Sequence, residues 1–236
     1  LGGPLSAVLD QIEVTSGMKT VEIESTDYVS GHAQGDLLML VDGSGSLESI
    51  GCASCPTDPM RHRVEAVIEL ASSLHECAPD WNIGLMEFGP RSSSGFDYSQ
   101  MLVDYTMETS EIESNADGLI SDGGTPLWDA LLETMDDLSA RIENDLSDLG
   151  LDEETLVGED GELPPKTFGR GLVVITDGED TTSHNTVSKV ITQAKAHEIP
   201  VSVIALGEAS DLVFSSSERA VEDLRRLADE TGGFYA

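Results

Sequence analysis

The chain has 236 residues, 39% of them hydrophobic and only 5% aromatic, and it carries 45 acidic against 12 basic residues for a formal charge of −33. That length suits one α/β domain of about 200–250 residues built on a single aliphatic core. The charge excludes a nucleic-acid or anionic-lipid surface, which needs clustered lysine and arginine. No run approaches the roughly 18–20 apolar residues of a membrane-spanning helix, so direct membrane insertion is not expected. Excess carboxylate fits salt-rich or divalent-rich surroundings, where repulsion is screened; it also fits an acidic protein of ordinary habitat.

Residues 1–34 differ in character from the rest. LGGPLSAVLD lacks the basic region and long apolar stretch of a secretion signal, so the expectation is a removed signal or a fragment of a longer protein. IEVTSGMKTVEIES reads as a β-hairpin, with Ile12 and Val14 alternating before the turn and Val21 and Ile23 after it. This region is a β-rich leader or the tail of a preceding domain.

Four nearly continuous apolar runs follow: Leu37–Val41, Ile83–Phe88, Leu172–Thr176 and Val201–Leu206. Strands apolar on both faces are what a parallel sheet covered by helices requires. Helical stripes fill the intervals. Val64, Val67, Ile68, Ala71 and Leu74 form one, and Leu127, Leu131, Met135, Leu138 and Ile142 a second. Val187, Val190, Ile191 and Ala194 form a third; Val221, Leu224, Leu227 and Ala228 a fourth, with Ser215 and Glu218 as its start signal and Gly232 as its stop. After the turn-rich GPRSSSGFDYSQ, MLVDYT reads as an antiparallel edge strand. The fold class is α/β, a doubly wound and mostly parallel sheet with one antiparallel edge strand and helices on both faces.

Two segments interrupt this pattern. ESIGCASCPTDPM, residues 48–60, overlaps an insertion at 47–59, and its Cys52 and Cys55 form a CxxC. Cys77 falls on the stripe of Leu70 and Leu74 and reads as a buried apolar residue. A helix from Arg61 to Ala78 would be about 25 Å long, too long for a Cys55–Cys77 bridge, whose Cα atoms must lie within about 7 Å. A Cys52–Cys55 disulfide pinning its own loop is expected. A zinc site would need two more ligands, with His62 the one near candidate. The second segment, ENDLSDLGLDEETLVGEDGELPPK at 143–166, reads as a solvated acidic insertion; its carboxylates miss EF-hand spacing.

LLMLVDGSGS, residues 37–46, ends a buried strand with Asp42, Ser44 and Ser46 on alternate positions of a glycine-rich turn. Dinucleotide binding would need a third glycine where Glu48 stands. The P-loop lysine is absent, and neither serine fits the GxSxG elbow of a hydrolase. Oxygen-ligand metal binding remains. Thr125 in SDGGTPLWDAL and Asp177 in LVVITDGED stand on loops at the same edge of the predicted sheet, where ligands of such folds sit. Singly, Thr125 also reads as a helix N-cap and Asp177 as a turn aspartate.

Taken together and in this order, DGSGS, GGT and TDGED resemble the metal-ion-dependent adhesion site of von Willebrand factor A-type domains, across about residues 35–236. The resemblance implies that Ser44 and Ser46 bind a divalent ion through their hydroxyls. Thr125 would bind directly in a high-affinity state or through water otherwise, and Asp42 and Asp177 mainly through water. Mg²⁺ suits such donors, with Mn²⁺ or Ca²⁺ as alternatives. It also implies a partner protein that presents an Asp or Glu carboxylate, binding rather than catalysis, and a parent protein of several domains. The family adds a closing helix after the position of GGFYA, so that helix is expected outside this sequence. The insertion at 47–59 departs from the family and sits on the rim, shaping partner access or serving as a structural loop.

Two functions follow. One is a secreted or cell-surface adhesion module, favoured by CxxC, the β-rich leader and the acidic surface. The other is an intracellular A-type scaffold working beside an AAA-type ATPase.

Overall fold

The computed structural model describes residues 15–16, 19–20, 35–48, 56–89, 98–148, 169–178, 180–207 and 218–236. In the leader, β1 (Thr15–Ser16) and β2 (Lys19–Thr20) pair antiparallel, with Ser16 opposite Lys19. The positions expected to flank them, Ile12, Val14, Val21 and Ile23, lie outside the described residues, as do Cys52, Cys55 and Ser215.

The remaining elements are β3 (Gly35–Asp42), α1 (His62–Cys77), β4 (Trp81–Phe88), β5 (Ser99–Thr106), α2 (Thr109–Ala116), α3 (Leu127–Asp148), β6 (Gly169–Thr176), α4 (Val187–Ala196), β7 (Val201–Ala205) and α5 (Glu218–Thr231). Among the described residues five strands form one sheet, in the order β5-β4-β3-β6-β7. All neighbours pair parallel except β4 and β5, which are antiparallel. The doubly wound sheet with one antiparallel edge is therefore present.

Alternation along the strands divides the core into two layers. Leu38, Leu40, Leu172, Val174, Val201 and Val203 pack with the apolar faces of α3, α4 and α5. Leu37, Met39, Val41, Ile83, Leu85, Val173 and Ile175 pack with α1 and α2 on the other side. Each such side chain contributes about 1.5–3 kcal/mol when fully buried, which is why strands bearing aliphatic residues at consecutive positions occupy the centre. Cys77 is half-buried against the second layer and is a free thiol.

Helix α2 was not legible as a helix. Its sequence TSEIESNA is mostly polar, and only Ile112 and Ala116, one turn apart, are buried. Helix α3 runs on to Asp148, so residues 143–148 of the expected acidic loop are helical. Residues 149–168 lie outside the described residues. Gly232, at φ 81°, ends α5 in the left-handed conformation expected of a helix stop. Beyond it the backbone lies along β7: Val203 N donates to Phe234 O at 2.8 Å, and Ala236 N to Val203 O at 2.9 Å. Among the described residues no helix is long and apolar enough to cross a membrane.

Candidate metal centre

Asp42 ends β3 and Asp177 directly follows β6, its parallel neighbour, with Val41 opposite Ile175. From β3 the chain winds outward through β4 and β5, then resumes on the other side of β3 at β6. The carboxyl ends of β3 and β6 thus flank a topological switch point, where open α/β sheets form crevices.

Asp42 is fully buried. Its Oδ1 accepts the Ser44 amide at 2.8 Å, and its Oδ2 accepts the Thr176 hydroxyl at 2.6 Å. Gly43 packs closely on Glu87: a Cβ there would lie 2.9 Å from Glu87 Oε1, so that side chain would have to shift. The turn then brings Ser44 Oγ within 3.0 Å of Ser46 Oγ, and Ser46 Oγ donates to Asp177 Oδ2 at 2.5 Å. A hydroxyl has one proton. With that of Ser46 on Asp177, Ser44 is the donor between the two serines.

Thr125 is brought to the same edge by backbone contacts. Gly45 N donates to Gly123 O at 3.0 Å and Asp122 N to Gly43 O at 2.8 Å, which fastens the GGT loop to the DGSGS turn. Thr125 N donates to Thr181 Oγ1 at 2.9 Å, and Thr181 N returns a bond to Thr125 O at 3.0 Å. The N-cap role does not fall to Thr125. The amides of Trp128 and Asp129 donate instead to Ser183 Oγ, at 3.0 and 3.1 Å. In return Asp129 accepts the amides of His184 and Asn185 ahead of α4.

Three participants were missed in the sequence. Thr181 and Ser183 lock the loop after β6 to the start of α3. Thr57, five residues before α1, donates to Asp177 Oδ2 at 2.7 Å. Nothing local marks it, because its partner is 120 positions away.

No family model and no curated protein sequence matches the chain. Solved structures do. The VWA domain of SpRpn10 superposes with a TM-score of 0.51 at 15% identity, over 86% of this chain and 86% of that one. The chain has the von Willebrand factor A-type fold. Looser overlaps with solved structures include the following two. One is an aerotolerance-related membrane protein of Bacteroides fragilis carrying multiple mutations to serine (TM-score 0.49, 18% identity, 85% of this chain and 90% of that one). The other is a manganese-loaded Plasmodium vivax TRAP protein (0.47, 19%, 85% and 64%).

In this A-type fold the charge at the crevice is poorly balanced by protein groups alone. Burial pushes the Asp42 carboxyl up to about 6, and the negative charge of Asp177 adds to the rise; hydrogen bonds from Thr176 and Ser44 oppose it. Two carboxylates and two linked serine hydroxyls therefore lie together at the ends of β3 and β6, where added positive charge would be favourable. Among the described residues no three His, Cys, Asp or Glu side chains come together. The donors are hydroxyls backed by two carboxylates, with no thiolate or imidazole among them. That set fits a hard cation such as Mg²⁺.

Proposed function

We propose that the chain is a divalent-cation-dependent protein-binding module. Ser44, Ser46 and Thr125 would hold Mg²⁺, or Mn²⁺ or Ca²⁺, through hydroxyl oxygens, with Asp42 and Asp177 acting through water. When bound, the ion supplies a Lewis-acidic position for an Asp or Glu carboxylate of a partner protein. The observation that supports this reading most is the hydrogen bond from Ser46 Oγ to Asp177 Oδ2 beside the buried Asp42.

The chain's own residues support a binding role. Ser46 keeps one oxygen lone pair for a cation, the other accepting from Ser44, while its proton is held by Asp177. Asp42 orients the turn by accepting the Ser44 amide. Because the directly binding groups are neutral, the cation keeps most of its charge for the partner's carboxylate. Cell-surface or extracellular adhesion is the setting we propose, within a larger multidomain protein.

Titration calorimetry with MgCl₂ tests the reading. Wild type should bind one ion, and Asp42→Ala none, with both proteins folded by circular dichroism. A wild type that binds no divalent ion, or an Asp42→Ala variant that binds as well as wild type, would overturn it.

A further inference from the structure

The insertion at 47–59 returns to the candidate centre at its far end. Thr57 N donates to Ser46 O at 3.1 Å and Asp58 N to Leu47 O at 2.9 Å, so residues 57–58 run alongside the site turn. The Thr57 hydroxyl has two acceptors in reach, Asp177 Oδ2 at 2.7 Å and Ser46 O at 3.4 Å. Its one proton goes to the nearer carboxylate. Asp177 Oδ2 thus accepts two hydroxyls, from Ser46 and from Thr57.

Thr57 is held rigidly from behind. The next residue, Asp58, is buried and accepts the His62 amide at 2.6 Å and Arg63 Nη1 at 2.8 Å. Arg63 is itself fully buried, pairs with Glu48, and reaches Ile120 O at 3.3 Å. On the other side Gly207, at φ 56°, lies so close that a Cβ there would come within 3.0 Å of Thr57 Cβ. A hydroxyl fixed by a buried ion pair and a glycine contact loses little further freedom when it bonds a carboxylate.

We propose that Thr57 is a positioning residue of the cation site: its hydroxyl fixes the Asp177 carboxylate in the orientation in which Asp177 holds Ser46. The insertion therefore contributes a hydroxyl to the centre in addition to standing on its rim. This inference rests on the cation-binding reading. A hydrogen bond to a charged group is stronger than one between neutral groups, and part of it is replaced by water once the hydroxyl is gone.

The test is Mn²⁺ binding alone, followed by electron paramagnetic resonance of the free ion, in wild type, Thr57→Val and Thr57→Ser. Thr57→Val keeps the branched shape and should weaken binding about tenfold; Thr57→Ser keeps the hydroxyl and should stay within about threefold of wild type. Equal binding by wild type and Thr57→Val would overturn the inference while leaving the cation-binding reading standing. A wild type that binds no Mn²⁺ would overturn both. Amide exchange of wild type gives a readout that needs no variant: Mg²⁺ should slow exchange at Thr57 and Asp58. Unchanged exchange there would also overturn the role of Thr57.

Discussion

Ser46 and Asp177 are joined by a 2.5 Å hydrogen bond across 131 positions of sequence. The bond links the turn after β3 to the residue after β6, and it exists only because those two strands are neighbours. It directs the Ser46 proton toward Asp177, and with Ser44 donating to the same oxygen one lone pair stays open, the one the proposed cation would use. Ser46→Ala should lower Mg²⁺ affinity at least tenfold in calorimetry without lowering the melting temperature in EDTA. An affinity equal to wild type would show that this hydroxyl is not a ligand.

Asp42 makes metal-free stability depend on pH. Its folded value, about 6, is raised above the ordinary 3.8. The folded state therefore holds the proton more tightly than the unfolded one. Its contribution is fully present below the unfolded value, near pH 4, and is lost as pH rises through about 6. The loss is bounded at about 3 kcal/mol. Urea unfolding in EDTA should show this decline in wild type, and Asp42→Asn should be flatter over the same window. Identical slopes in both proteins would exclude Asp42 as the source.

Thr125 is anchored by its backbone to Thr181 in both directions. Removing its hydroxyl should therefore leave the loop in place. Thr125→Ala is expected to bind Mg²⁺ several-fold more weakly, with a melting temperature in EDTA within about 2 °C of wild type. Full Mg²⁺ affinity in this variant would remove Thr125 from the direct ligand set.

Asp58, just ahead of α1, and Arg63, in its first turn, form a buried ion pair. Asp58→Ala leaves Arg63 without that partner and strips the caps from the His62 and Arg63 amides. Breaking one side of a buried pair costs about 3–5 kcal/mol. Urea unfolding should record a loss of that order, and a loss below about 1 kcal/mol would mean that Glu48 alone satisfies the arginine.

Ser183 caps α3 from another part of the chain. Ser183→Ala should cost about 1 kcal/mol by urea unfolding. A cost near zero would mean that Thr125 or water takes over the two amides.

The layered core was legible because burial on both faces leaves a local mark. Leu37–Val41 and Leu172–Thr176 carry aliphatic residues at successive positions, and the helices between them carry apolar residues every three or four. The same logic exposed Asp42 and Asp177, since a charged residue directly after such a run must lie at a strand's end. Helix α2 escaped because only Ile112 and Ala116 in it are buried. So little apolar content gives no period to read.

Composition and periodicity by themselves determined the α/β class, the single antiparallel edge and the order of the site motifs, because solvent exclusion acts on each residue's own side chain. Which strands became neighbours was decided only by the tertiary structure. That pairing brings Asp42 to Thr176 and Ser46 to Asp177. It also seats Thr57 on Asp177 and gives the cap of α3 to Ser183 in place of Thr125. Hydrogen bonds have a reach of about 3 Å, and a partner 54 to 134 positions away leaves no trace in the residues around either one.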